Sequence, residues 1–146
     1  MKHAFSLLEL IFVIVLMGIL TGIGFYYSRP DYSRQDAQYT LLQLKEARYR
    51  ALGNGVLSSD VCVTLTASAL SNNPSPKHEI RSTITLNPPG MTTVCFDGLG
   101  RPHNGNSITL ASLLRATGDI TFTYAGKNST IRLYPQTGYA IIPCTN

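Results

Sequence analysis

The hydrophobic pattern of the chain changes twice along its length. Residues 5–27 are almost all apolar, and Glu9 is the only charged side chain among them. Over residues 31–53 small and apolar side chains recur at spacings of three and four, whereas beyond residue 60 apolar and polar side chains alternate in short runs. The first two patterns are typical of helices and the third of half-buried strands. The sequence therefore predicts two helices followed by a β domain.

The first apolar stretch has the length of a membrane anchor. A helix over residues 5–27 would be about 35 Å long, enough to cross a bilayer. Tyr26 and Tyr27, followed by Arg29, resemble the aromatic and basic margin of a membrane-spanning helix. A secretory signal peptide is the alternative, but the stretch is too long for its apolar region and no small-residue cleavage pattern follows. We therefore expect a single-pass membrane protein.

Glu9 is the exception within this stretch. A carboxylate inside an apolar span costs about 2.5–3.5 kcal/mol on insertion scales, so it needs a partner. No cation lies within residues 5–27, and the nearest ones are Lys2, His3 and the terminal amine of the chain. Either Glu9 reaches the membrane interface by itself, or it pairs with an amine of another molecule.

The second helix is predicted over residues 28–53. Asp31 and Ser33 can cap its start, and Gly53 can end it. Its apolar stripe is narrow, which favours packing against a sheet. The stripe contains Ala37, Leu41, Leu44, Ala47 and Ala51. Arg48 and Arg50 are open to two interpretations, a binding patch or a solvated helix face, and the second is favoured.

Alternating apolar and polar side chains predict strands in the rest of the chain. Short turns between successive strands indicate an antiparallel sheet, so the fold class is α+β. The alternating segments are residues 61–66, 80–86 and 120–124.

Turns and loops are predicted from clusters of Gly, Pro, Asn and Ser. Residues 125–129 are predicted to turn into a strand over 130–134, and residues 135–138 into a strand over 139–142. Two polar stretches are predicted to be surface loops. They are residues 68–79 and 99–107.

Composition narrows the classes of function. The chain has 146 residues, 12 Lys and Arg against 8 Asp and Glu, and a formal net charge of +4. This length allows one small domain beyond the first helix and excludes a large enzyme. The basic residues are interspersed with acids, so charge alone indicates no nucleic-acid partner.

The sequence predicts no catalytic, metal or cofactor site. The three histidines, His3, His78 and His103, are scattered, and no nucleophile motif accompanies them. Residues 97–106 can be interpreted as a calcium loop, but they contain one carboxylate and an arginine and lack the spacing of an EF-hand. A plain turn is the favoured interpretation. We therefore expect a protein that is not an enzyme and uses no cofactor.

The start of the chain resembles the leader of type IV prepilins and type II secretion pseudopilins. Lys2-His3-Ala4 is followed by Phe5 and then by Glu9, the fifth residue after the presumed cut. The resemblance implies that a prepilin peptidase and methyltransferase cleaves between Ala4 and Phe5 and methylates the new amine of Phe5. It also implies that Glu9 pairs with the amine of a neighbouring subunit during assembly. The family usually has Gly before the cut, where this chain has Ala4.

Three later segments are similar to GspH/FimT-type minor pilins and pseudopilins. The resemblance implies a pilin fold, in which a long N-terminal helix, membrane-spanning in its first half, packs on an antiparallel β-sheet. The similar segments are residues 44–51 (LKEARYRA), 95–102 (CFDGLGRP) and 133–139 (LYPQTGY). The implied domains are a leader (1–4), a transmembrane and filament-core helix (5–27), an amphipathic helix (28–53) and a periplasmic antiparallel β domain (54–146).

The same resemblance implies a minor subunit near the tip of a type IV pilus or type II secretion pseudopilus. Its partners would be other pilin or pseudopilin subunits, the prepilin peptidase and the lipid of the bacterial inner membrane. A DNA-binding minor pilin of natural transformation is the alternative, with Arg101 and Arg132 as the first cations to test. The absence of cations from residues 141–146 disfavours it. An ordinary membrane-anchored periplasmic protein is the third class.

A periplasmic β domain would allow disulfides to form. Cys62, Cys95 and Cys144 allow one bridge and one remaining thiol, and the sequence leaves the pairing open. Strand alternation places Cys62 and Cys95 on the faces opposite the apolar residues of their strands. The cysteines lack CxxC-like spacing, so they indicate no zinc site.

Overall fold

The computed structural model of the chain describes residues 7–27, 30–54, 61–71 and 78–143. The chain separates into two compact units, Met1–Pro30 and Asp31–Asn146. Helix α1, Leu7–Tyr27, belongs to the first unit. The second unit contains helices α2 (Tyr32–Asn54) and α3 (Ala67–Ser71) and strands β1 (Cys62–Thr64), β2 (Thr83–Asn87), β3 (Thr93–Phe96), β4 (Pro102–Asn104), β5 (Gly118–Tyr124), β6 (Lys127–Leu133) and β7 (Ala140–Ile141).

The predicted membrane span is not supported. Over the described ranges, every helix falls short of the combined length and apolarity that a bilayer crossing requires. The prediction of a single-pass inner membrane protein is therefore wrong.

Helix α2 begins beside an acidic cap. The Asp31 carboxylate accepts hydrogen bonds from the Ser33 hydroxyl at 2.7 Å and from the Arg34 backbone N–H at 3.3 Å. The bond from Ser33, together with the bond from Arg34 and the charge of Lys127, outweighs the opposing effect of burial and lowers the pKa of Asp31. This cap places the first helical residue at Tyr32 rather than at residue 28.

The stripe predicted for α2 is buried at four of its five positions. Ala37, Leu44, Ala47 and Ala51 are buried, and Leu41 packs against the core while partly exposed. Small side chains on this face let the helix approach a sheet closely. The predicted α+β class, with a helix packed on antiparallel strands, is confirmed in this unit.

The strands form two antiparallel sheets instead of the single sheet that was predicted. One has the order β1-β3-β4 and the other the order β2-β5-β6-β7. Alternation along a strand determines which side chains face the core, but it does not determine which strands pair. The division into two sheets therefore depends on long-range packing.

Both predicted surface loops contain regular structure. Within 99–107, β4 pairs with β3 so that Pro102 lies opposite Phe96. A three-residue strand is too short for alternation to be visible, and its proline is accommodated because β4 lies at the edge of its sheet. Within 68–79, α3 extends to Ser71. The loop predictions were wrong over these residues, while residues 72–77 lie outside the described ranges.

The hairpin between β5 and β6 is tighter than predicted. Ala125 and Gly126 form its turn with φ values of 49° and 79°, and Tyr124 lies opposite Lys127. Two successive residues with positive φ characterise the type I′ turn, whose twist matches that of the flanking strands. The predicted turn over 125–129 was therefore too long, and β6 begins three residues earlier than expected.

The core lies where α2 covers the inner face of the four-stranded sheet. Ile120 and Phe122 of β5 and Ile131 and Leu133 of β6 are completely buried. These residues alternate with more exposed ones, as half-buried strands require. Strand β3 differs because all four of its residues are buried.

Candidate functional site

Three of the segments singled out in the sequence meet in the second unit. The Arg48 Nε atom of α2 donates a hydrogen bond to the Thr137 carbonyl oxygen at 2.9 Å. A Cβ atom placed on Gly100 would lie 3.2 Å from that same Nε atom, and one placed on Gly138 would collide with the Gly100 carbonyl oxygen. We call this place the motif junction. It comprises Arg48, the turn of residues 97–101 and the turn of residues 134–139.

Asp97 holds the turn between β3 and β4. Its Oδ1 atom accepts hydrogen bonds from the backbone N–H groups of Leu99 at 3.0 Å and Arg101 at 2.8 Å. Its Oδ2 atom accepts a hydrogen bond from Arg101 Nε at 2.7 Å, and His103 Nε2 lies 3.5 Å from it. Because these donors already occupy the carboxylate, the geometry favours the turn interpretation over a calcium loop.

The pKa of Asp97 reflects this arrangement. Burial acts to raise the pKa, but the hydrogen bonds from Arg101, Leu99 and His103 together lower it below its ordinary value of 3.8. A carboxylate whose pKa is lower in the folded state stabilises the fold above its unfolded pKa. That contribution is complete above about pH 4 and is lost as the pH falls through the lower folded-state value.

Replacing Gly138 with alanine should destabilise the protein by about 2–3 kcal/mol. Gly138 has a φ of 62°, and the added Cβ would also meet the Gly100 carbonyl oxygen. Gly126→Ala is the matched control, because its φ of 79° imposes similar strain while nothing lies within 4 Å of the added atom. Urea denaturation should show a smaller loss for the control, of about 1 kcal/mol. Equal losses would mean that the close approach at Gly138 has no energetic role.

The two arginines proposed from the sequence for DNA contact are each bound to a carboxylate. Arg101 binds Asp97, and Arg132 Nε donates to Asp119 Oδ1 at 3.1 Å. The hydrogen bond to Asp119 raises the pKa of Arg132. The two arginines therefore bind different carboxylates and do not form a shared cluster in the described part of the chain. The structure therefore neutralises both charges locally.

A disulfide joins Cys62 of β1 to Cys95 of β3, which lie directly opposite each other in the sheet. The sequence left this pairing open. Cys95 is 0% exposed, although alternation placed it on the face away from the apolar residues. Cys95 is buried on that face as well, because all four residues of β3, the central strand of its sheet, are buried. Cys144 lies outside the described residues.

The predicted assembly residues lie at the start of the chain. Glu9 is in the first turn of α1 and is exposed. Ala4 and Phe5, the predicted cleavage and methylation positions, lie outside the described residues.

Sequence patterns did not single out Asp36, a completely buried carboxylate with three hydrogen-bond partners. Its Oδ1 atom lies 2.7 Å from His78 Nε2, and its Oδ2 atom accepts the backbone N–H groups of Arg81 at 3.0 Å and Ser82 at 2.8 Å. Its side chain is 0% exposed. Asp36 lies in the second turn of α2, where an aspartate is usually exposed to solvent. The sequence does not reveal that this carboxylate is buried and bonded, because its partners lie more than 40 positions away.

The engaged carboxylates have structural functions, since each connects elements that are distant along the chain or closes a turn. Asp36 joins α2 to the segment before β2, Asp97 closes the β3–β4 turn, and Asp119 pairs across the β5–β6 ladder.

Comparison of the chain with protein-family models, with curated proteins and with solved structures gave no match.

Proposed function

We propose that this chain is a minor subunit of a filament of the type IV pilus or type II secretion pseudopilus kind, assembled through helix α1. The observation that carries the proposal is the exposure of large apolar side chains along α1. Leu8 is 77% exposed and Leu20 is 69% exposed. The other exposed apolar side chains of α1 are Leu7, Leu10, Ile11, Phe12, Val13, Ile14, Val15, Leu16, Met17, Ile19 and Ile23.

Exposed apolar surface of this extent requires a partner. Burying apolar area contributes about 25 cal/mol per Å², and large apolar patches mark interaction sites. The exposed positions of α1 are consecutive, so they cover every side of the helix. A single groove would cover one side, whereas a bundle of helices from several subunits covers all of them. Helix bundling between subunits is therefore the arrangement that best fits α1.

Glu9 supports the same proposal. An unpaired carboxylate would be costly among packed apolar helices. Helix α1 has no basic residue over its whole range. The resemblance of the leader to prepilins supplies a partner, the methylated amine of Phe5 in a neighbouring subunit. Cleavage by a prepilin peptidase between Ala4 and Phe5 belongs to this proposal.

The second unit is compatible with a tip-located subunit. Its α2 helix on antiparallel strands corresponds to a pilin-like layout. The segments that resemble GspH/FimT-type proteins form the motif junction, so they have a shared structural role. No observation specifically favours the DNA-binding alternative, because Arg101 and Arg132 are both compensated by carboxylates.

Replacing Glu9 with leucine should abolish most co-assembly with partner subunits while leaving the second unit folded. The carboxylate is the group that would pair with a neighbour's amine, and losing a charge pair in an apolar contact costs about 2–5 kcal/mol. The measurement is the yield of cross-linked subunits in cells producing the partner pilins, together with N-terminal sequencing of the mature chain.

Thr21→Leu is the matched control for this experiment. It also replaces a polar side chain of α1 with leucine, but the Thr21 hydroxyl is already bonded to the Met17 carbonyl oxygen at 2.6 Å. The control should cross-link as the wild type does. If Glu9→Leu also cross-links like the wild type, the carboxylate has no role in assembly. A mature chain beginning at Met1 would contradict the proposed processing.

A further inference from the structure

The guanidinium of Arg48 is fixed in place by the motif junction. Its Nε atom donates to the Thr137 carbonyl oxygen at 2.9 Å, and Gly100 allows the backbone of the opposite turn to approach it. Gly100 has a φ of 76°, so the turn adopts a conformation in which a side chain would be strained. Arg48 is therefore half-buried and oriented before any ligand arrives.

The two terminal nitrogens of Arg48 remain available. Among the described residues, the Nε bond to Thr137 is the one hydrogen bond of this side chain, and it has no ion pair. The two other arginines of the three similar segments differ in this respect. Arg50 binds Glu46 at 2.6 Å, and Arg101 binds Asp97 at 2.7 Å. Arg48 thus presents uncompensated donors in a planar fork.

The motif junction also contains exposed apolar side chains. Leu52 lies against Gly100 as Arg48 does, Leu99 precedes Gly100 in the turn, and Tyr139 follows Gly138 in the facing turn. Leu99 is 69% exposed and Tyr139 is 51% exposed. An oriented cation with an apolar rim favours a ligand that combines a planar anion with an apolar group.

We propose that the motif junction binds a segment of a partner protein that presents a carboxylate beside an apolar side chain. The terminal nitrogens of Arg48 bind the carboxylate, and Leu52, Leu99 and Tyr139 contact the apolar group. Charge complementarity supports this occupant, because the junction offers one uncompensated guanidinium to one anion. A nucleic acid contacts several cations along its backbone, whereas two of the three arginines in the similar segments, Arg50 and Arg101, are already paired. This inference does not depend on filament assembly through α1.

The test is a titration of the full chain in neutral detergent micelles with two peptides. They are acetyl-Tyr-Glu-Leu-amide and its uncharged counterpart acetyl-Tyr-Gln-Leu-amide. Amide NMR signals of Gly100 and Gly138 should shift saturably with the Glu peptide, and the Gln peptide should bind at least about tenfold more weakly, as loss of a charge-assisted hydrogen bond predicts.

Arg48→Ala should lower the affinity for the Glu peptide by about tenfold or more. Arg50→Ala removes a paired cation of the same helix and should leave that affinity unchanged. If Arg48→Ala disturbs the fold, Arg48→Lys keeps the charge and loses the fork, and Leu99→Ser alters the exposed rim; both should weaken binding. Equal affinity for the Glu and Gln peptides would overturn the proposal. Displacement of the Glu peptide by a short DNA duplex at micromolar concentration would also overturn it, because the junction would then be a phosphate site.

Discussion

Replacing Asp36 with alanine should lower the free energy of unfolding by about 3–5 kcal/mol. The substitution removes the acceptor of two backbone N–H groups, those of Arg81 and Ser82, and leaves His78 without its partner. The Ser82 N–H is buried and the Arg81 N–H is partly buried. A buried donor that loses its acceptor costs about 1–3 kcal/mol, because it lost its water on folding and has no other partner. The effect should be large because Asp36 joins α2 to the chain that enters β2.

Urea denaturation followed by circular dichroism measures this loss. Glu46→Ala is the matched control, because it removes an acidic partner from an ion pair of the same helix whose side chains are about half exposed. Exposed pairs of this kind contribute about 0.3–0.5 kcal/mol, so the control should remain close to the wild type. A loss below about 1 kcal/mol for Asp36→Ala would mean that water replaces the carboxylate at the buried amides.

Reducing the disulfide should lower the free energy of unfolding by about 4 kcal/mol. Cys62 and Cys95 are separated by 33 positions, and opening a loop of that size restores conformational entropy to the unfolded chain. For a unit of this size the loss corresponds to a fall in the melting temperature of roughly 15 °C.

The measurement compares thermal unfolding with and without dithiothreitol. The double variant Cys62→Ala/Cys95→Ala is the control, because its melting temperature should not respond to the reductant. Unfolded, non-reduced wild-type protein should contain one titratable thiol per chain, that of Cys144. Three titratable thiols, or a melting temperature that dithiothreitol leaves unchanged, would contradict the stabilising role of the bridge.

Local periodicity was enough to predict helices α1 and α2 and the class of the fold. The spacing of Ala37, Leu44, Ala47 and Ala51 identified the buried face of α2, and alternation identified Ile120 and Phe122 as core residues of β5. These patterns succeed because the repeat of a helix or strand determines which of its side chains share a face. The length rule for membrane spans was less reliable, since the apolar run over 5–27 predicted a crossing that the described helices do not support.

Contacts between distant parts of the chain were decided by the tertiary structure. Cys95 became fully buried because β3 lies between β1 and β4, and the predicted loop at 99–107 contains a strand because β3 supplies its partner. Asp36 has a structural role because the fold brings the backbone N–H groups of Arg81 and Ser82 to its carboxylate.

Local sequence patterns were sufficient to specify the apolar first helix, the small-residue face of α2 and the antiparallel character of the β domain, because each follows from residues a few positions apart. The tertiary structure alone decided the two-sheet arrangement, the Cys62–Cys95 bridge and the meeting of Arg48 with the turns at Gly100 and Gly138. The physical reason is that strand pairing and burial are gained from contacts across tens of residues, and no local pattern encodes which distant segments will meet.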